Sequence, residues 1–126
     1  MVVLKFRAWD TFHNKWVKHF YITENGLIYN MEQPHRDLIG AVPIEQSGLV
    51  VMQSTGVFDK NGKEIFEGDV VNIFGEKLSK IYYSDGAFCV DILIGGTPLH
   101  AFLSEQLEII GNIHRNPELM EEVLND

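Results

Sequence analysis

The sequence has few of the features that mark secreted, membrane or nucleic-acid-binding proteins. Its single cysteine, Cys89, excludes an intrachain disulfide, so we expect a reducing, cytoplasmic setting. No apolar run approaches the length needed to span a bilayer, and we expect no membrane partner. Basic residues are scarce, with 10 Lys and Arg against 18 Asp and Glu and a net charge of −8. This acidity argues against non-specific binding to nucleic acid or to anionic membrane.

The apolar composition is sufficient for a folded domain of this length. The chain has 126 residues, of which 45% are hydrophobic, including eight Phe, four Tyr and two Trp. Aromatic side chains bury large areas and can dominate the core of so small a fold. We therefore predict one globular domain over residues 1–126.

The chain is organised around a predicted hairpin in which two apolar runs flank Asp59–Lys63. A two-residue Asn61-Gly62 loop would place Lys60 opposite Lys63, and such like-charged pairs destabilise a ladder. A three-residue loop with a left-handed Gly62 instead places Asp59 opposite Lys63. We favour the second geometry, which directs Val57 and Ile65 to one face and Phe58 and Glu64 to the other.

The remaining pattern predicts a mainly β fold: a small antiparallel barrel or curled sheet with an N-terminal β-meander layer and a short C-terminal helix. Gly and Asn turns separate the short strands. The predicted segments are a meander of three strands at 1–30 (strands 2–9, 15–23 and 27–29), a connection with a short helical turn at 31–47, a barrel-like β core at 48–114 and a helix at 116–125. Within the core we predict strands at 49–53, 70–74, 80–83, 88–94, 99–103 and 107–110.

The predicted C-terminal helix begins with Asn116 as its cap and Pro117 at its first position. Leu119, Met120, Val123 and Leu124 then fall at helical spacing on one side. A helix of about two turns is too short to be stable alone, so it must dock on another surface.

Three stretches together resemble the YopX family of small proteins encoded by bacteriophages and prophages. They are Lys5–Asp10 at the start, the run from Met52 to Val71, and Ile109–Leu119 near the end. The segments 31–47 and 75–104 add little to the resemblance, and this chain has Ser54 and Phe66 where the family often has an aromatic residue and Tyr. The resemblance implies a phage-related origin, a mostly β fold and self-association, but no established biochemical activity.

The N-terminal segment is the candidate binding surface. Within residues 1–20, four basic residues stand against one acidic residue, a local charge of +3 that leaves −11 for the rest of the chain. Aromatic rings among cations can hold single-stranded nucleic acid. In the alternative interpretation the rings fill the core and the basic residues form a solvated strand face, which the acidity elsewhere favours. The surface comprises Lys5, Arg7, Trp9, Lys15, Trp16 and Lys18.

A second cluster consists of the carboxylates near the central turns, which could ligate a divalent cation: Asp59, Glu64, Glu67 and Asp69. Their spacing matches no calcium loop, and Asp is favoured in turns because it bonds to the backbone. We therefore expect no metal there.

No other polar pattern predicts catalysis or a cofactor. The histidines, His13, His19, His35, His100 and His114, share no ligand spacing with one another or with Cys89. Cys89 lies in an apolar strand and is expected to be a buried, inert thiol. No serine has a nucleophile-elbow context, and Gly95-Gly96 opens no helix. We expect no cofactor and no enzymatic activity.

Three functions remain open. The first is a phage-type accessory protein that binds an unidentified host or phage protein, or forms a homo-oligomer, through the N-terminal strands, the 31–47 connection or the helix. The second is a nucleic-acid-binding module that uses the N-terminal surface. The third is an enzyme whose site is assembled from distant residues, which would require a pocket lined by Asp, Glu or His with perturbed pKa values.

Overall fold

The computed structural model describes residues 4–32, 40–92, 96–119 and 121. The fold is mainly β and contains a curled half-barrel sheet, as the sequence predicts. The elements in chain order are β1 (Phe6–Asp10), β2 (Lys15–Val17), β3 (Phe20–Ile22), β4 (Leu27–Asn30), β5 (Val42–Pro43), α1 (Ile44–Ser47), β6 (Leu49–Phe58), β7 (Glu64–Phe66), β8 (Asp69–Ile73), β9 (Lys77–Lys80), β10 (Tyr82–Ser84), β11 (Ala87–Asp91), β12 (Gly96–Pro98), two 3₁₀ helices (Leu99–Ala101 and Ser104–Gln106) and β13 (Leu107–Asn112).

The chain divides into two compact units. The small unit is Arg7–Val51, and the large unit combines Met1–Phe6 with Met52–Asp126. The boundaries between the units fall within β1 and β6. The predicted 31–47 connection thus belongs to the same unit as most of the N-terminal meander.

The small unit is built from short antiparallel pairs around its own core. Strand β1 pairs with β2, and β4 lies between β3 and β5. The short helix α1, which fulfils the predicted helical turn, ends at Gly48 with a left-handed φ of 76°. Buried apolar side chains hold these elements together: Ala8, Val17, Ile28 and Leu49.

The large unit contains the main apolar core. Strand β8 lies between β13 and β9, and β11 lies between β10 and β12. Strand β8 is buried along most of its length, with Val70, Val71 and Ile73 completely buried, and Leu107 of β13 is completely buried as well. The core is formed by Ile65, Val71, Ile73, Ile81, Val90, Leu99 and Leu107.

The bulged geometry predicted for the central hairpin is confirmed. Gly62 has a φ of +77°, Gly62 N–H donates to Asp59 O (3.0 Å), and Asp59 N–H donates to Lys63 O (2.8 Å). Phe58 pairs with Glu64, Ile65 is buried and Phe58 is exposed, as expected. The register shifts between Ser54 and Phe58, where Gly56 is also left-handed, a bulge that the sequence did not predict.

The predicted strand 15–23 is wrong as a single element, because it breaks at Lys18-His19. The Glu32 carboxylate accepts hydrogen bonds from the backbone N–H groups of Lys18 (2.6 Å) and His19 (2.8 Å). These bonds hold the pKa of Glu32 below its ordinary value, and the bond from Lys18 has the largest effect. The Glu32 carboxylate therefore occupies two backbone N–H groups that a continuous strand could use to pair with a neighbouring strand.

Two further expectations about strands are also corrected. Residues 99–101 form a 3₁₀ helix in place of the predicted strand 99–103, because the buried Leu99 anchors a tight turn closed by Phe102 N–H and Leu99 O. The alternating pattern of the predicted strand 2–9 would place Leu4 and Phe6 on the same face as Ala8, but these two side chains are 68% and 42% exposed. Only Ala8 of that set reaches a core, the one in the small unit.

Part of the predicted C-terminal helix lies outside the described residues, which include Glu118, Leu119 and Glu121 in helical conformation. Asn116 was expected to cap this helix. Its backbone C=O accepts from Leu119 N–H (2.9 Å), as that of a cap residue does, while its side-chain Oδ1 accepts from Asn112 N–H (3.1 Å). Among the residues that the structure describes, no helix has the length and apolar character that crossing a bilayer requires.

Candidate functional site

The small unit contains a cavity of about 280 Å³, which we call the small-unit pocket. Its wall comes from the β1–β2 turn, from β4, and from the segment that leads through β5 into α1. The lining residues are Asp10, Phe12, His13, Ile28, Tyr29, Asn30, Gly40, Val42, Gln46 and Ser47. Apolar and polar groups therefore share one concave surface, which is the usual character of a binding pocket.

A buried carboxylate organises the β1–β2 turn beside this pocket. Asp10 is 2% exposed, and its Oδ1 accepts hydrogen bonds from the N–H groups of Phe12 (2.8 Å) and His13 (3.2 Å). Its Oδ2 lies 2.7 Å from His13 Nδ1. Burial acts to raise the pKa of Asp10, but the His13 side chain and these backbone donors together hold it below the ordinary value. Asp10 is therefore ionised and orients the His13 ring.

Two other polar groups of the lining, those of Ser47 and Asn30, are already engaged in hydrogen bonds. Ser47 Oγ donates to Ile44 O (2.6 Å) and accepts from Leu49 N–H (3.0 Å), and Asn30 Oδ1 accepts from Glu32 N–H (2.9 Å). The Asp10–His13 pair offers a general base through the second ring nitrogen of His13. The Ser47 hydroxyl is therefore not free to act as a nucleophile, and the other hydroxyl in the lining is the phenol of Tyr29.

Phe12 forms an exposed part of the pocket wall, with 75% of its surface accessible. The turn is fixed against α1, because Thr11 donates to Gly48 O from both its N–H (2.9 Å) and its hydroxyl (2.7 Å). The Phe12 ring lies over Gly48, where an added Cβ would come within 2.1 Å of ring carbon Cε2. An exposed aromatic ring is thus held in a defined position.

The six residues of the predicted N-terminal surface divide between the two units. Trp9 is 7% exposed and contacts Trp16 edge-to-face at 5.0 Å, while the Arg7 guanidinium lies 4.4 Å from the Trp16 ring centroid. Lys15 and Lys18 are exposed at β2 and just after it. Lys5 belongs to the large unit, where its Nζ lies 3.4 Å from Glu64 Oε1.

The two aspartates of the carboxylate cluster near the central turns bridge chain segments of the large unit. Asp59 Oδ1 accepts from Asn61 N–H and Lys63 N–H (both 2.9 Å), and its Oδ2 accepts from Ile109 N–H (3.0 Å). Burial acts to raise the pKa of Asp59, but the bonds from Ile109, Lys63 and Asn61 hold it below the ordinary value. A carboxylate at this place stabilises the hairpin and ties it to β13.

The second bridge is Asp69, which accepts from Phe66 N–H at Oδ2 (2.8 Å) and from Asn112 Nδ2 at Oδ1 (3.1 Å). Asn112 is buried, and its own Oδ1 accepts from His114 N–H (2.9 Å). A Cβ at Gly111 would lie 2.6 Å from Asn116 Oδ1 and would displace that side chain. These residues of the Met52–Val71 and Ile109–Leu119 stretches therefore serve the fold.

The other candidate ligands do not converge among the described residues. Within that part of the chain, no three His, Cys, Asp or Glu side chains are grouped so that they could hold a metal ion. Cys89 is a buried free thiol, as predicted. His114 is half-buried, and burial lowers its pKa below the ordinary value. His35 lies outside the described residues.

Sequence reasoning missed the small-unit pocket but predicted the turn beside it. The predicted strands 2–9 and 15–23 leave residues 10–14 as a connecting turn, in which Asp and Asn are favoured because they bond to the backbone, and Asp10 does so. The pairing of Asp10 with His13 follows from that turn, since residues three apart meet within it. The approach of residues 40–47 to this turn has no local signal in the sequence.

Comparison with known proteins identifies the family. The profile described as YopX protein matches residues 5–121. Among solved structures, protein EF1440 from Enterococcus faecalis is similar at 29% identity and a TM-score of 0.68, over 95% of this chain and 99% of that one. Protein yopX from Bacillus subtilis, at 22% identity and a TM-score of 0.61, covers 90% and 95% and shows the same fold. No curated protein matches the chain. The chain belongs to the YopX family.

Proposed function

We propose that the chain is a phage- or prophage-type accessory protein that acts in the cytoplasm of a bacterial host by binding another protein, and that it catalyses no reaction. The observation that carries the proposal is the small-unit pocket, a formed concavity whose carboxylate and serine hydroxyl are already used within the protein. Such a surface is suited to recognition.

The chemistry of the pocket favours an apolar side chain of the partner. Val42 contributes apolar surface, and Phe12 offers an exposed ring that contact with a partner would bury. Aromatic residues enclosed at the centre of an interface often carry much of its binding energy. The polar groups of Gln46 and His13 would then form part of a hydrogen-bonding rim.

The enzyme hypothesis has one feature in its favour, since Asp10 and His13 lie beside the pocket in the geometry of an oriented base. A hydrolytic role would also need a nucleophile or a positioned water and a group that stabilises developing negative charge. Ser47 is bound on both sides, and the Asp10 carboxylate adds negative charge. Binding therefore has the stronger support.

Self-association is the second form of the same proposal, because the pocket could accept a side chain from another copy. Light scattering from the chain 1–126 at a series of protein concentrations would distinguish self-association from binding to a different protein. A mass that rises with concentration, and that returns to the monomer value on Phe12→Ser, would identify the partner as a second copy. A monomer at every concentration would assign the pocket to a different protein.

The proposal is tested by affinity capture from host cells with matched variants. Phe12→Ser removes the exposed ring of the pocket, and Met31→Ser removes an exposed side chain of the same unit outside the lining. We expect a protein captured by the wild type and by the Met31 variant to be reduced at least about tenfold with the Phe12 variant. Equal capture by all three proteins would contradict the proposal.

A further inference from the structure

A second exposed surface lies in the large unit, remote in sequence from the small-unit pocket. Phe74 and Leu103 are 56% and 61% exposed, and the Phe74 ring meets the Phe102 ring edge-on at a centroid distance of 5.8 Å. We call these three residues the aromatic patch. Neighbouring exposed side chains of this size are commoner at contact surfaces than elsewhere on a soluble domain.

The turn that presents Phe74 does not require an aromatic residue. Glu76 N–H donates to Ile73 O (3.0 Å), and the two central residues, Phe74 and Gly75, have φ values of 56° and 74°. This left-handed geometry favours Asn or Gly at the first central position, and a bulky residue there is strained. Substitution by Asn should therefore preserve the turn while it removes the ring.

A cavity of about 330 Å³ adjoins the patch and is rich in hydrogen-bond acceptors. Glu108 lies opposite Asn72 across the β13–β8 pair, and Glu105 and Gln106 complete the polar wall. The Asn72 Oδ1 atom is buried and, within the described part of the chain, has no hydrogen-bond partner. The cation in the lining, Lys60, is already 3.5 Å from Glu108 Oε1.

The net charge of the large unit indicates the sign of the charge that a partner should carry. The large unit carries six basic against thirteen acidic residues, a net charge of −7, whereas the small unit is −1. A long-range field of this sign attracts cationic partners and repels nucleic acid. The hydrogen-bond acceptors of the cavity and the net charge of the large unit thus both favour a cationic group as the occupant.

We propose that the aromatic patch and its cavity bind a basic segment of a partner protein, with an arginine side chain in the cavity. A guanidinium group presents five N–H donors and no acceptor, which matches the carboxylates of Glu105 and Glu108 and the free acceptor of Asn72. Its flat face stacks on an aromatic ring, here Phe74, and an apolar neighbour of the arginine would cover Leu103. The surface is independent of the small-unit pocket, so either assignment can fail without the other.

The test is a titration followed by amide NMR shifts, with a pair of probes that differ only in charge. Acetyl-Phe-Arg-amide supplies the ring and the guanidinium, and acetyl-Phe-citrulline-amide replaces the cation by a neutral group of the same shape. We expect the arginine probe to shift the amides of residues 72–75 and 105–108, and the citrulline probe to bind at least about fivefold more weakly.

Two variants and one control complete the experiment. Phe74→Asn should melt no lower than the wild type and lose the arginine-dependent shifts, and Glu108→Gln should weaken them. Tyr83→Ser, which removes another exposed ring of the large unit, should bind as the wild type does. Equal binding of the two probes, shifts confined to other residues, no binding of either probe, or full binding by the Phe74 variant would each overturn the proposal.

Discussion

The bridge made by Asp59 gives the sharpest prediction about stability. Asp59→Ala removes a buried acceptor from three backbone donors, those of Asn61, Lys63 and Ile109. Hydrogen bonds to a charged group contribute about 1.5–3 kcal/mol each, and the two donors within the turn can partly recover by reaching water. We therefore expect Asp59→Ala to lower the free energy of unfolding by about 3–5 kcal/mol.

Asp59→Asn tests the same contacts more finely. An amide oxygen in the place of Oδ1 keeps the bonds to Asn61 and Lys63, but the amide nitrogen then faces the Ile109 N–H in the place of Oδ2. One bond is lost and two donors oppose each other, so we expect a loss of about 2 kcal/mol. The matched control is Asp85→Asn, an exposed turn residue with a φ of 50° that Asn also tolerates, with an expected change within about 0.5 kcal/mol.

Urea unfolding followed by far-UV circular dichroism measures these differences, since it reports on the strands of both units. Tryptophan fluorescence would report on the small unit alone, because Trp9 and Trp16 both belong to it. If both Asp59 variants unfolded within about 0.5 kcal/mol of the wild type, the carboxylate would not be a structural bridge. Its place in the turn would then need a functional explanation.

Three other outcomes follow from the same structure. Gly62→Ala adds a Cβ with open space around it and should lower the free energy of unfolding by about 1–2 kcal/mol. Gly68→Ala brings Cβ to 3.1 Å from Met52 Sδ and should lower it by about 2–4 kcal/mol. Equal losses for the two variants in thermal melts would contradict this difference. Asp10 and Asp59 have pKa values in the folded state below the ordinary value of 3.8, so both carboxylates stabilise the fold above that pH. We expect the free energy of unfolding to fall as the pH drops below 3.8, and Asp59→Asn to make this fall with pH less steep. An equally steep fall for the variant in urea unfolding would contradict the prediction. Single-stranded DNA should show no salt-sensitive retardation at low salt, and a retarded band would restore the nucleic-acid hypothesis.

The parts of the fold that the sequence predicted depend on local chemistry. The Gly62 turn follows from charge pairs and from the conformational freedom of one residue, and both are visible within a few positions. The burial of Cys89 follows equally from its apolar neighbours. The turn that follows β8 was predicted only in part, because Gly75 indicates where the turn lies but not that Phe74 before it is left-handed.

The parts that the sequence did not predict depend on distant contacts. The Asp59 bond to Ile109 joins residues 50 positions apart, and the Lys5–Glu64 pair joins residues 59 apart. The exposure of Leu4 could not be predicted either, since an alternating pattern shows which residues share a face but not whether anything covers it. The small-unit pocket has the same origin, because residues 40–47 reach the β1–β2 turn only through the tertiary fold.

The resemblance to the YopX family raised the question of what the shared stretches do. Asp59, Asp69 and Asn112 within those stretches are buried and bonded to neighbouring backbone or side chains. A sequence signature made of such residues identifies a fold. The surfaces proposed for binding lie largely outside the signature, at residues 12–13, 28–30 and 40–47 in the small unit and at 72–75 and 102–108 in the large unit.

Hydrogen–deuterium exchange on the captured complex would test most directly whether the protein acts by contact through the small-unit pocket. We predict slower exchange on partner binding at residues 10–13, 28–30 and 40–47, with residues 59–69 unchanged. Protection that leaves all three of these pocket segments unaffected would contradict the assignment.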